Sequence, residues 1–173
     1  MDTTSRFEIC LNGLPAEGIT RHWALDDSFF SALDEQEIEH GNLDATLRVE
    51  QKSGTFVFTF DVQGTIQATC DRCLAPMSVP IETQQTLEVK LGETFEDDGE
   101  LITIPADHPT LDVAWNLYEV IALAIPIYHV HPEGECESTM DDLLRQHNAE
   151  TAQHDTRWDA LKGLLDKDQD NNK

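Results

Sequence analysis

The sequence predicts an α+β domain in which an antiparallel β-sheet of hairpin-connected strands packs against one buried helix, with short peripheral helices. Three observations carry this reading. Residues 43–91 alternate apolar and polar side chains in three runs separated by turn-forming residues. Residues 113–125 are apolar around much of a helical circumference and end against Pro126. A chain of 173 residues with 39% hydrophobic content is long enough to bury one core.

Taken in order, Arg6 to Leu11 reads as a short strand, and Phe29, Phe30 and Leu33 after Asp26-Asp27 read as a short helix. The first of the three runs is residues 43–49, where Leu43, Ala45, Leu47 and Val49 share one face. Lys52-Ser53-Gly54 is a hairpin turn. The second run places Phe56, Phe58, Phe60, Val62, Ile66, Ala68 and Cys70 at one parity. Gly64 is the point where a bulge or bend would divide so long a strand. The third run, from Val79 to Leu91, follows a connection over Asp71 to Ser78 in which Pro76 prevents a regular ladder.

Residues 93–100 carry five acids and no apolar period, so they read as a solvated loop, followed by an extended piece from Leu101 to Ile104 that stops at Pro105. Asp112 is placed to cap the next helix, whose Val113, Trp115, Leu117, Val120, Ile121 and Leu123 call for deep burial. The stretch 127–136 reads as a loop or short strand. A last amphipathic helix after Asp155 sets Trp158, Leu161 and Leu165 on one face. Residues 1–40 are read as part of one domain whose body is 41–165, with 166–173 as a disordered acidic tail.

The formal net charge is -23, from 34 Asp and Glu against 11 dispersed Lys and Arg. Phosphate binding needs several cations on one surface, so this balance argues against direct RNA contact and against an anionic membrane surface. It favours basic protein partners. The first residues lack the basic start and apolar core of a secretory signal, and no stretch reads as a membrane span, so the expected compartment is the cytoplasm. In that reducing setting the four cysteines point to thiols or a metal site, not to disulfides.

Cys70 and Cys73 form a C-x-x-C pair at the tip between the second and third runs. Zinc prefers tetrahedral sulfur and nitrogen ligands, and this spacing lets two thiolates reach one ion without backbone strain. The other half of such a site would be Cys136 with His131, or with His129, brought over by the tertiary fold. The plainer alternative is that the histidines cap or pack in their loop and Cys136 is a small half-buried residue. A thiol-disulfide role is disfavoured, because a strand ends before the pair and Pro76 hinders a helix starting there. The sequence has no Gly-rich phosphate loop, G-x-S-x-G elbow or H-E-x-x-H, and it is read as a non-enzyme.

Val62 and Gly64 followed by Cys70-Asp71-Arg72-Cys73-Leu74, then Tyr118-Glu119-Val120-Ile121 leading into Ile125-Pro126, the loop to Cys136, and Asp155-Thr156-Arg157-Trp158 with Leu161 resemble the YceD-like family. The resemblance covers roughly residues 40–165. It implies a role in accumulation of large-subunit ribosomal RNA and therefore in ribosome assembly. Some members carry further cysteines after the position of Pro126, where this chain has only Cys136 with His129 and His131 nearby. Together with the charge, the resemblance implies a basic ribosomal protein, or an assembly intermediate reached through one, as partner. Arg72 and Trp158 are the candidate partner-binding residues. The competing classes are a zinc-stabilised module without a ribosomal role and, behind it, a thiol-disulfide oxidoreductase.

Overall fold

The computed structural model describes residues 6–33, 38–99 and 101–150. In chain order the elements are β1 (Glu8–Cys10), β2 (Ile19–Leu25), α1 (Asp27–Leu33), β3 (Gly41–Lys52), β4 (Thr55–Thr69), β5 (Pro76–Gly92), β6 (Glu96–Asp97), β7 (Leu101–Pro105), β8 (Thr110–Asp112), α2 (Ala114–Ala124) and α3 (Ser138–Glu150). The chain divides into two compact units, residues 1–131 and 132–173.

The first unit holds a six-stranded sheet in the order β2-β3-β4-β5-β7-β6 and a two-stranded sheet of β1 and β8. Among the described residues the architecture is α+β, a large sheet with a few short helices. The three alternating runs form β3, β4 and β5 as an antiparallel meander. Their alternation buries Leu43, Leu47, Phe58, Phe60, Val62, Ile81 and Val89 on one face. Each such side chain contributes about 2 kcal/mol by leaving water.

Several expectations need correction. The large sheet is mixed, because β7 runs parallel to β5 from Glu88↔Leu101 to Gly92↔Pro105. Flanked by β5 and β6, β7 buries Ile102, Thr103 and Ile104 in succession, the continuous burial of a strand covered on both faces. The stretch read as a solvated loop contains β6, whose Glu96 and Asp97 pair with Thr103 and Ile102.

Gly64 does not divide β4. The ladders to β3 and β5 pass through it in constant register. Its φ is +150°, and a Cβ there would lie 2.3 Å from the Asn42 carbonyl oxygen, so the glycine admits the neighbouring backbone instead of opening a bulge. Pro76 does not interrupt the ladder either. It opens β5 opposite Thr69, a position where a missing amide hydrogen costs no ladder bond.

Strands β2 and β8 and helix α3 were not legible in the sequence. β2 shows only Trp23 and Leu25 as buried positions, too few to display a period. Trp23 donates its indole N–H to the Arg6 carbonyl at 3.1 Å and packs in a tilted pair with Phe7, which meets Phe29 at 5.3 Å between ring centroids. Asp26 accepts from the Ser28 amide at 3.0 Å and so caps α1.

Asp112 accepts from the Ala114 amide at 3.0 Å at the start of α2, and Ile125, extended at ψ 126°, ends that helix before Pro126. The helix buries Leu117, Tyr118, Val120 and Ile121, all members of the main core cluster. Trp115 and Leu123 are exposed, against the expectation of burial all round, as are Ile127 and Tyr128 just beyond it. In the second unit, Glu135 donates to the Pro132 carbonyl in a turn that precedes α3. The expected helix around Trp158 and the tail 166–173 lie outside the described residues.

Candidate metal centre

The thiol pair sits where β4 gives way to β5. The connection is Cys70–Ala75, closed by the Cys70 amide donating to the Ala75 carbonyl at 2.9 Å and the Leu74 amide donating to the Cys70 carbonyl at 2.9 Å. Leu74 takes a left-handed conformation, φ 61°, to complete the turn. This folds the chain so that Cys70 and Cys73 are both buried while Arg72 between them is exposed.

A second segment is tied to this tip. The Asp71 amide donates to the His129 carbonyl at 3.0 Å, and the His129 amide donates back to Asp71 Oδ2 at 2.8 Å. Ile125, extended before Pro126, ends α2, and this reciprocal pair fixes the following loop two residues before His131. His131 then places Nδ1 3.3 Å from Cys73 Sγ, and its backbone amide donates to Cys70 Sγ at 3.5 Å. His129 is directed otherwise: its Nδ1 contacts the Pro126 carbonyl at 3.1 Å and lies 3.7 Å from Asp71 Oδ2.

The ligand atoms of Cys70, Cys73 and His131 lie within 4.8 Å of one another. A tetrahedral zinc with bonds of about 2.0 to 2.3 Å sets its ligands about 3.5 to 3.8 Å apart, so small adjustments would close these three around one ion. The electrostatics agree with that donor set. Burial works to raise the Cys70 thiol, but backbone amides of Cys73, His131 and Arg72 point at its sulfur and outweigh it, bringing the thiol down to about 6. The Cys73 and Cys70 thiols beside His131 raise its imidazole above the ordinary range. Amides aimed at sulfur support a thiolate, which is the form a metal binds.

Cys136 lies in the second unit, five residues beyond His131. Cys10 is exposed on β1 and contributes nothing to the cluster. No disulfide forms among the described residues. Trp158 lies outside them. Sequence reasoning missed the Asp71–His129 clasp, because a lone aspartate between two cysteines carries no signal about a loop 58 residues away.

A long antiparallel meander carrying a cysteine and histidine cluster on one hairpin tip defines the class: a β-sheet scaffold with a candidate metal centre. Residues 58–165 match the family model described as large ribosomal RNA subunit accumulation protein YceD, and the chain belongs to that family. The family description gives it a ribosome-related role. No curated protein and no solved structure matches the chain. Among the described residues no helix is long and apolar enough to cross a membrane.

Proposed function

We propose that the protein is a non-enzymatic cytoplasmic factor for large-subunit assembly that works by holding a basic ribosomal protein, or an assembly intermediate through such a protein, until ribosomal RNA displaces it. The observation that carries this is family membership in a chain of formal charge -23. An anionic surface steers cationic proteins toward it and repels phosphate, and RNA competes for the same cations with a denser negative charge. In this reading the sheet is the scaffold, and the exposed turn bearing Arg72 and the segment bearing Trp158 belong to the partner surface.

The cysteine and histidine cluster supports a structural zinc ion. Cys70, Cys73 and His131 supply three ligands, and Cys136 is the candidate the sequence offers for the fourth. The ion's part is to pin the loop after α2 to the hairpin tip, adding to the Asp71–His129 clasp. It performs no reaction.

The test is co-purification at low and high salt, combined with sucrose-gradient profiles and precursor mapping in a deletion strain. Recovery of large-subunit proteins that is lost at high salt, with accumulated precursor in the deletion, is the expected result. Normal profiles and no basic protein recovered at low salt remove the ribosomal reading. Zinc found in protein prepared without a histidine tag would then leave a zinc-stabilised module as the function class.

A further inference from the structure

β5 is much longer than its outer neighbour. It runs from Pro76 to Gly92, but β7 pairs only with Glu88 to Gly92, so residues 76–87 have β4 on one side and no strand among the described residues on the other. Hydrogen-bond parity identifies the groups on that open side. The Cys70 amide reaches the Ala75 carbonyl, and the register Ala68↔Met77 and Ile66↔Val79 carries the same bonding along the ladder, so odd-numbered residues of β5 bond to β4. Even-numbered residues face away, as the Ala106 amide donating to the Gly92 carbonyl at 3.0 Å confirms.

Two of the outward positions, Pro76 and Pro80, have no amide hydrogen to offer, the usual protection of a sheet edge. The protection stops there. Glu82, Gln84 and Thr86 keep amide and carbonyl groups on the open side, over about 17 Å of strand.

Chemistry on the two faces of this edge differs. Above the outer face, a hollow of about 360 Å³ is lined by Asp61, Gln63, Glu82, Thr83 and Gln84, with two carboxylates and no cation. On the core face, a smaller hollow of about 110 Å³ between β5 and α2 has an apolar wall of Leu87, Val120 and Leu123, the last 81% exposed, with Gln85, Asn116 and Glu119 in its polar lining. A strand added here would point alternate side chains to these two faces.

We infer that the Glu82–Thr86 edge of β5 binds an extended segment of a basic protein in which cationic and apolar residues alternate, the segment joining the sheet as a new strand in line with β7. This rests on the proposed reading of a basic protein partner and specifies how it is gripped. Main-chain hydrogen bonds supply affinity, the Asp61 and Glu82 carboxylates select cations on one side, and the shelf beside Leu123 accepts the apolar side chains.

The experiment titrates the full chain with a labelled ten-residue peptide of alternating lysine and valine, and with a second peptide having the same residues in two blocks. The alternating peptide is expected to bind at least tenfold more tightly, and its binding to slow amide exchange at Glu82, Gln84 and Thr86. Gln84→Pro removes an outward amide that no ladder bond uses, and should weaken binding at least tenfold with the circular dichroism spectrum retained. Glu82→Gln should reduce the salt dependence of binding.

Equal affinity for the two peptides overturns the proposal, as does unchanged amide exchange in the wild type. A dimer in sedimentation that Gln84→Pro abolishes also overturns it, in favour of a second copy at this edge. Co-sedimentation with large-subunit precursors is read separately. If wild type sediments with them and Gln84→Pro does so equally, the edge proposal fails while the ribosomal reading survives; peptide binding without any precursor association is the reverse.

Discussion

Two hairpin turns flank the central strand β4 and solve the same problem in different ways. The turn between β3 and β4 uses Ser53 at φ 52° and Gly54 at φ 89°, two successive left-handed residues whose twist suits a tight hairpin. It exposes both and, among the described residues, makes no backbone hydrogen bond to a segment outside the hairpin. The turn between β4 and β5 is longer, contains a single left-handed residue, Leu74, and turns two cysteines inward to meet a loop from beyond α2. One turn is specified by local backbone preference alone. The other is specified by side chains that need partners from distant sequence.

That contrast can be broken most sharply at Cys73. Cys73→Ser should remove zinc from the purified protein and lower its stability by about 3 kcal/mol, read by metal analysis and denaturant unfolding. Unchanged zinc content would place the ion elsewhere. Asp71→Ala removes the acceptor of the His129 amide and should cost about 1 to 2 kcal/mol, with a fall of about tenfold in zinc affinity because the loop carrying His131 loses one of the two bonds of its clasp. Competition with a coloured chelator measures the second effect.

At the plain turn, Gly54→Ala meets no atom within 4 Å, yet the left-handed φ should cost about 1 kcal/mol with zinc content untouched. Leu74→Gly is the counterpart at the cysteine turn. Leu74 is 67% exposed, so little burial is lost, and release of backbone strain outweighs the added freedom of the unfolded chain for a gain of about 0.5 kcal/mol. Thermal melts of the two variants should therefore move in opposite directions.

The smallest effect lies outside both turns. The Gly41 amide and then the His40 side chain hold the Asp27 carboxyl below its usual range. A depressed folded-state value means that the contribution to stability is present above the ordinary carboxylate range and is lost as pH falls through the lower folded value. Asp27→Asn should thus destabilise slightly at neutral pH and make no difference at strongly acid pH, as melts across that range would show.

The two turns also explain what the sequence could reveal. β3, β4 and β5 were legible because one face of each is buried and a period of two repeats many times; the Ser53-Gly54 turn was legible because its chemistry is local. The pair Cys70 and Cys73 was visible as a motif and His131 as a candidate beside it, but the reciprocal bonds at Asp71 that hold its loop exist only in the folded chain. β8 was missed because a three-residue strand is too short to show a period, and its pairing with β1 joins residues about a hundred positions apart. The parallel placement of β7 left no mark in its own residues, since Leu101 to Ile104 reads as an extended apolar piece whichever neighbour it takes. Trp115 and Leu123 misled for the opposite reason, being apolar side chains that the fold leaves facing solvent.

The unbroken register of β4 has a consequence for how the cluster is assembled. From Phe56 to Ile66 this strand is paired on both flanks, and Cys70 follows its last residue directly. Cys70, one of the candidate ligands, is therefore pre-positioned by a ladder that needs no ion to form. Small zinc-dependent domains collapse when stripped by a chelator, whereas here hydrogen exchange should remain slow through the middle of β4 after stripping and quicken only around residues 71–75 and 126–131.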